Sequence, residues 1–139
     1  MTDWAPCCTF RAQDNRGDVS LPKQAMVRLL GDPGTAADAY ESDNTASEAG
    51  VLRAGEPQAR TLHVSNDTDW VSFFFGDQTN FYYTLKTEHL TNQLDTVLEI
   101  YEQQADGSLT LLWAIDEWDT DQGESWGWWP GSGIYYAKV

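Results

Sequence analysis

Hydrophobic and polar residues alternate along most of the chain after residue 58. An alternation of period two places every second side chain on one face of an extended strand, so it predicts half-buried β-strands. Turn-forming stretches such as "SNDT", "GDQT", "ADGS" and "PGSG" separate the apolar runs. The predicted strands are 59–65, 69–75, 80–87, 94–101, 109–115, 124–129 and 133–139.

Short strands at regular spacing favour an antiparallel sandwich or barrel, and we therefore predict an all-β fold. No segment after residue 58 has the period of a helix. The strand 94–101 shows most clearly which face is buried, because one of its faces is largely apolar. The side chains on that face, which we expect in the core, are Leu94, Thr96, Leu98 and Ile100.

The first 35 residues follow a different pattern. Two possible strands, 7–13 and 24–30, are joined by a polar stretch, and turn formers follow at 31–38. So few residues cannot bury a core of their own. We predict that residues 1–35 form an N-terminal arm or extra edge strands, and that residues 36–139 form the domain.

Composition and charge narrow the class of protein. The chain has 139 residues, of which 41% are hydrophobic, and a formal net charge of −14. This size suits one folded domain, and the negative charge argues against nucleic acid as a partner. No Lys or Arg occurs between Thr87 and Ala137. Such an acidic stretch suits divalent cations, high salt or solubility, and these alternatives remain open.

The N-terminus and the cysteines carry little functional information. The sequence "MTDWAPCCTF" lacks the basic start and apolar core of a secretion signal, so none is expected in this chain. No apolar run approaches the length of a membrane span. The only cysteines, Cys7 and Cys8, are adjacent, and a disulfide between neighbours is strained. They are expected to be free thiols or links to another chain.

Four stretches resemble, in order, the bacterial pre-peptidase C-terminal domain, which is related to the collagen-binding domains of clostridial collagenases. The stretches are "DAYESDNTASEA" (38–49), "NDTDWVSFFF" (66–75), "LDTVLEIYEQQADGSLTLLWAIDEWD" (94–119) and "GSGIYYAKV" (131–139). The resemblance covers about residues 36–139. It implies an antiparallel jelly-roll-like β-sandwich, without catalytic activity, that is appended to exported proteins and is often stabilised by calcium.

The resemblance also implies where calcium would bind. Asp38 and Tyr40 fit the opening of the first family motif, although Ser42 stands where the family usually has proline. Calcium prefers six to eight oxygen ligands, which carboxylates and amides supply. The ligands predicted from the two motifs are Glu41, Asp43, Asn44, Asp67 and Asp69.

A metal-free turn is the alternative for the first motif. The sequence "TASE" fits a capping box, with Thr45 as N-cap and Glu48 at the third helical position. The preceding Asp and Asn would then form turns through their own side chains. Both interpretations make this segment a structural element at the start of the domain.

A tryptophan cluster is the second candidate site. Exposed flat aromatic rings stack on sugars or anchor protein partners, but tryptophan is also commonly buried in a core. In a strand, Trp126 and Trp128 would face one side and Trp129 the other. The candidate ligand-binding residues are Trp118, Trp126, Trp128 and Trp129.

The sequence shows none of the common catalytic motifs, such as a Gly-x-Ser-x-Gly elbow, a phosphate loop or His-Glu-x-x-His, so we do not expect an enzyme. The leading prediction is a calcium-stabilised module for binding or adhesion at an exterior surface. Its expected partner is a protein or glycan surface, without nucleic acid or membrane insertion. One alternative is a structural protein of a particle, such as a phage capsid decoration or fibre-associated protein, that self-associates through residues 1–35. Another is a glycan-binding module that uses the tryptophans.

Overall fold

The computed structural model describes residues 11–14, 27–31, 36–76, 81–88, 95–117 and 123–139. These residues form strands and one short 3₁₀ turn, Ala46–Glu48. The strands are β1 Arg11–Asp14, β2 Val27–Gly31, β3 Gly50–Val51, β4 Gln58–Leu62, β5 Trp70–Phe75, β6 Phe81–Glu88, β7 Leu98–Gln103, β8 Leu109–Ile115, β9 Ser125–Trp128 and β10 Gly133–Lys138. The predicted all-β fold is confirmed.

The strands form two sheets that pack as a sandwich. Sheet I contains β1, β6, β2 and β4, with β9 paired to β6. Sheet II has the order β3-β5-β10-β7-β8. From β4 to β10 the chain crosses repeatedly between the sheets, and only β7 and β8 are consecutive neighbours in one sheet. Repeated crossing of this kind is typical of jelly rolls, as the resemblance implies.

Most of the ladders are antiparallel, but β2 runs parallel to both β4 and β6, and β3 runs parallel to β5. The sequence prediction did not include these parallel pairs. A tight hairpin forces neighbouring strands to be antiparallel, whereas a long connection leaves their direction free. Long segments separate β2 and β3 from the strands they join, so alternation within each strand did not reveal their direction.

The two strands expected in the first 35 residues overlap β1 and β2. β1 pairs antiparallel with β6, and β2 pairs with both β4 and β6, so both add to sheet I of the same chain. Residues 1–10, 15–26 and 32–35 lie outside the described residues, as do Cys7 and Cys8. The division of the chain at residue 35 stays a prediction.

The core lies between the two sheets. Thr96, Leu98 and Ile100 are buried, as the alternation predicts, whereas Leu94 lies outside the described residues. Leu85 of β6 is also completely buried. Aromatic rings fill much of the remaining space, namely those of Phe73, Phe75, Tyr83, Trp128 and Tyr135. Burial of each such side chain stabilises the fold by about 1.5–3 kcal/mol.

Candidate cation site

The two acidic motifs meet at one end of the sandwich. The Thr68 amide donates a hydrogen bond to Asn44 Oδ1 at 3.2 Å, and the Thr68 hydroxyl donates to the Asn44 carbonyl at 3.2 Å. The Trp70 amide donates to the carbonyl of Asp43 at 3.0 Å, which holds the first motif against the start of β5. These bonds place residues 38–45 beside residues 66–70.

Asp38 ties the first motif to sheet I. Its Oδ1 accepts a hydrogen bond from the Tyr40 amide at 2.7 Å, which closes a turn through the side chain. Its Oδ2 accepts from the Thr61 amide of β4 at 2.6 Å. The Thr61 hydroxyl also lies 3.5 Å from this oxygen. A carboxylate has about four lone-pair positions, so these contacts leave Asp38 able to bind a cation as well.

Acidic side chains converge in two overlapping groups. In one group, Glu41, His63 and Asp67 each offer a ligand atom, and these atoms lie within 4.8 Å of one another. In the other group, Asp38, Glu41 and Asp69 do the same. Glu41 belongs to both groups, so the two describe one continuous cluster, which we call the acidic cluster.

His63 links two of the carboxylates. Its Nδ1 lies 3.0 Å from Glu41 Oε1 and 2.6 Å from Asp67 Oδ2. Its backbone amide also donates to Asp67 Oδ2 at 2.8 Å, which fixes the orientation of that carboxylate. The pKa of Glu41 is raised, first by burial and then by the negative charge of Asp67.

Asp69 is the most unusual member of the acidic cluster. Its exposed fraction is 1%, and neither carboxylate oxygen has a hydrogen-bond partner among the described residues. Its backbone pairs with Val139, through amide-to-carbonyl bonds of 3.1 and 3.0 Å, so the residue is held in place. Burial raises the pKa of Asp69 to about 8; Arg60 opposes the rise, and the nearby carboxylates add to it. Burial therefore outweighs the attraction of Arg60, and the ionised form of this carboxylate is costly in the fold.

Asp43 has a different partner. It is completely buried and forms an ion pair with Arg60, which is also completely buried. Arg60 also donates two hydrogen bonds to Gln58 Oε1, at 3.1 and 2.8 Å, and its guanidinium lies 4.4 Å from the centre of the Tyr40 ring. A Cβ at Gly50 would come within 2.8 Å of this guanidinium, so glycine makes room for it.

The structure therefore separates the five predicted ligands. Glu41, Asp67 and Asp69 lie in the acidic cluster. Asp43 pairs with Arg60, and Asn44 uses its side-chain oxygen to accept a bond from Thr68. Two members of the cluster, Asp38 and His63, were not among the predicted ligands. The spacing of His63 and Asp67 across the turn after β4 is the sequence signal that could have identified the histidine.

The alternative of a capped turn describes part of the same segment. A 3₁₀ turn follows Thr45, as predicted, but the Thr45 side chain makes no bond to a backbone amide. Its hydroxyl instead donates to Glu48 Oε2 at 2.8 Å, and its carbonyl accepts from the Glu48 amide at 3.0 Å. The predicted capping box is wrong in this detail, because the two side chains bond to each other. The turn and the acidic cluster coexist.

The tryptophan cluster divides into buried and exposed members. Trp128 is 7% exposed and contacts the core rings. Trp126 packs against the core, and its ring lies 5.4 Å from that of Trp113. Trp129 is 61% exposed, and its ring lies 4.6 Å from that of Tyr82 on the outer side of sheet I. Trp118 lies outside the described residues. Among the described candidates, Trp129 is therefore the one whose ring is available to a ligand.

Comparisons of the chain with family models, with curated proteins and with solved structures found no match. The resemblance to the pre-peptidase C-terminal domain therefore stays a prediction. Among the described residues, no helix has the length and apolar character needed to cross a membrane.

Proposed function

We propose that this chain is a non-catalytic β-sandwich module that calcium stabilises and that binds a partner at an exterior surface. The observation that carries the proposal is Asp69, whose two carboxylate oxygens are buried and without partners beside Asp38 and Glu41. A divalent cation would add positive charge beside Asp69 and take all three carboxylates as ligands. Asp67 would join them from the overlapping group.

Calcium suits the cluster better than zinc. The group of Asp38, Glu41 and Asp69 offers only carboxylate oxygens, which calcium prefers. Zinc usually takes four nitrogen, sulfur or oxygen ligands, and His63 offers one such nitrogen. The two metals therefore differ in their dependence on His63, because calcium binding does not require an imidazole.

Thermal unfolding tests this proposal. Calcium should raise the melting temperature, and the rise should follow the logarithm of its concentration above the dissociation constant, because a ligand that binds only the folded state stabilises it. Magnesium at equal concentration should have a smaller effect, since it loses its water shell reluctantly. His63→Gln should keep the response to calcium and lose any response to zinc. A melting temperature that is equal in calcium and in chelator would exclude the cation site.

The outer face of sheet II supports the binding role. Phe74 and Ile134 are cross-strand partners and are 71% and 40% exposed. A second row of cross-strand neighbours runs across the sheet, and its two ends, Val51 and Leu111, are 62% and 49% exposed. Between them lie Ser72, Tyr136 and Tyr101. Exposed apolar side chains that gather on one face of a sheet make that face a candidate interaction site.

The charges on this face are few and paired. Lys138 Nζ lies 2.7 Å from Glu99 Oε2, and the Tyr101 hydroxyl donates to the same oxygen at 2.7 Å. The Tyr101 ring lies 5.3 Å from that of Trp70. In a chain with a net charge of −14, a face of aromatic and paired polar groups is suited to contact with a partner.

Glycan binding is a second candidate function, and the exposed pair of Trp129 and Tyr82 favours it. The test is a glycan array with Trp129→Ala, which should lose binding to any glycan that the parent chain retains. Phe74→Ala is the matched control, because it removes an exposed aromatic ring from the other sheet. Equal binding by the parent chain and by Trp129→Ala would refute this candidate.

The role of structural protein in a particle stays a prediction. The described strands of residues 1–35 pair with strands of the same chain.

A further inference from the structure

Strand β8 forms one edge of sheet II. Within the described residues it pairs with β7 alone, so the hydrogen-bonding groups on its other side have no strand partner there. Edges of this kind accept strands from other chains, and natural proteins usually protect them with short strands, charged side chains or proline. A long edge without such protection therefore indicates a surface that a partner strand can occupy.

β8 differs from the other edge strands in length and in charge. β1, β3, β4 and β9 are also paired to a single strand, and they contain two to five residues. β1 and β4 carry charged residues, and Asp38 covers part of β4 by accepting a hydrogen bond from the Thr61 amide. β8 has seven residues, "LTLLWAI", without a charge or a proline. Among the described edge strands it is the longest and the least protected.

A bulge at Leu112 decides which kind of strand can dock. Leu111 and Trp113 pair with two adjacent residues of β7, Tyr101 and Ile100, so Leu112 is an extra residue in the ladder. A bulge bends and twists its strand locally. The rigid edge of a second folded copy would match this bend poorly, whereas an extended peptide segment can adapt to it. The bulge therefore favours a flexible segment over self-association of this chain.

The charges at the two ends of β8 define the partner. Asp106 is exposed before the strand, and Asp116 and Glu117 are exposed after it. No Lys or Arg occurs between Thr87 and Ala137 to offset them. Antiparallel pairing of two β8 strands would place the start of one beside the end of the other, which brings like charges together. A partner that fits therefore has positive charge at both ends of an uncharged centre.

The apolar side chains of β8 lie where a docked strand would contact them. Leu111 is 49% exposed on the outer face of sheet II and is the cross-strand partner of Tyr101. Leu112 and Trp113 are half-buried and pack against the core from this edge. A docked strand would cover both sets, because its side chains alternate between the two faces. Main-chain bonds would provide affinity, and these contacts would provide selectivity.

We propose that β8 binds an extended segment of a partner polypeptide by strand addition, and that this segment has an uncharged, β-branched centre with basic residues at both ends. The segment would become a sixth strand of the five-stranded sheet II and would lengthen its outer face. The inference names a partner for the proposed binding function and rests on that function in this respect. It does not depend on calcium.

Nuclear magnetic resonance titration of the full chain at low ionic strength tests the inference. The probe is the peptide acetyl-Lys-Lys-Thr-Val-Thr-Val-Thr-Val-Thr-Lys-Lys-amide. It should shift the amide signals of residues 109–115 saturably and slow their exchange with solvent. Three control peptides replace the lysines with glutamate, the central valine with proline, or the centre with alternating glycine and serine. Each should bind at least about tenfold more weakly, because it loses charge complementarity, a main-chain donor or strand propensity.

Variants of the chain locate the docked peptide. Leu111→Lys should weaken binding about fivefold, because it removes a cross-strand apolar contact and adds positive charge beside a basic peptide. Val51→Lys should have a smaller effect, since Val51 lies in β3 at the opposite edge of the same sheet. Val64→Lys is the matched control for the added charge, because Val64 is 55% exposed and lies outside sheet II. The melting temperatures of the three variants show that each is folded.

Several results would overturn the inference. Equal binding of the glycine-serine peptide would show attraction by charge alone, and the absence of saturable shifts in β8 would exclude docking there. Equal weakening by Val51→Lys and Leu111→Lys would place the peptide on the outer face of sheet II instead of at its edge. A dimer in sedimentation that Leu111→Lys abolishes would make a second copy the occupant.

The same titration separates this inference from the proposed cation site. Calcium stabilisation without peptide binding refutes strand addition alone. Peptide binding without calcium stabilisation refutes the cation site and leaves docking at β8 intact.

Discussion

Replacing Asp69 with asparagine should have opposite effects on stability with and without calcium. Asparagine has the same shape but no charge, so Asp69→Asn removes the buried carboxylate whose pKa is raised to about 8. Without a cation, this substitution should stabilise the fold at neutral pH. With calcium, it should remove a ligand and abolish most of the stabilisation that the metal provides.

The size of the effect follows from the pKa. The ordinary value for this carboxyl is 3.8, so between pH 3.8 and about 8 the folded chain holds a proton that the unfolded chain has released. The free energy of unfolding then falls as the pH rises through this window. At about 1.4 kcal/mol per pH unit, the loss at pH 7 is about 4 kcal/mol.

The measured gain should be smaller than this value. The asparagine amide is buried where the carboxylate was, and an unpaired buried polar group costs about 1–3 kcal/mol. The expected net stabilisation in chelator at pH 7 is therefore about 2 kcal/mol. For a chain of this size, the melting temperature should rise by about 6 °C.

Scanning calorimetry from pH 5 to 8, with chelator and with calcium, measures both effects. In chelator, the difference between Asp69→Asn and the parent chain should grow by about 1.4 kcal/mol per pH unit. Asp106→Asn controls for the loss of one negative charge on the surface. A difference that is independent of pH, or an asparagine variant that is less stable in chelator at pH 7, would refute the reasoning.

Three further predictions concern the sandwich around the site. Leu85→Ala should cost about 2–5 kcal/mol in urea unfolding, because the side chain is completely buried between the sheets; a cost below about 1 kcal/mol would contradict the assigned core. Arg60→Met should lower the free energy of unfolding by about 3–5 kcal/mol, because it leaves the buried Asp43 carboxylate unpaired. The double variant with Asp43→Leu should recover part of this loss, and additive losses would contradict the pairing. Trp128→Ala should cost about 3–5 kcal/mol and Trp129→Ala less than about 1 kcal/mol by the same assay, and equal costs would contradict their different burial.

The sequence predicted the fold better than it predicted the site. Alternation identified the inward side of the strand that holds Leu98 and Ile100, because a strand buried on one face has apolar residues at every second position. The parallel direction of β2 and β3 could not be predicted from residue types, since pairing between distant segments depends on tertiary contacts.

The predicted ligands included three members of the cluster, Glu41, Asp67 and Asp69, but the residue types alone did not distinguish an ion pair from a ligand. Asp43 has the same chemistry as Asp69, and what separates them is Arg60, which reaches Asp43 from β4. The sequence does not identify His63 as a ligand, because its proximity to Glu41 arises only when the two segments meet. Contacts between distant segments therefore set the role of each acid.

A crystal structure of the full chain grown in calcium tests the central claim most directly. We expect one ion whose oxygen ligands include Asp38, Glu41 and Asp69, each at about 2.3–2.6 Å. Anomalous scattering from a lanthanide exchanged into the same position would identify the site as a metal. An acidic cluster that holds only water under saturating calcium would contradict the proposed calcium site.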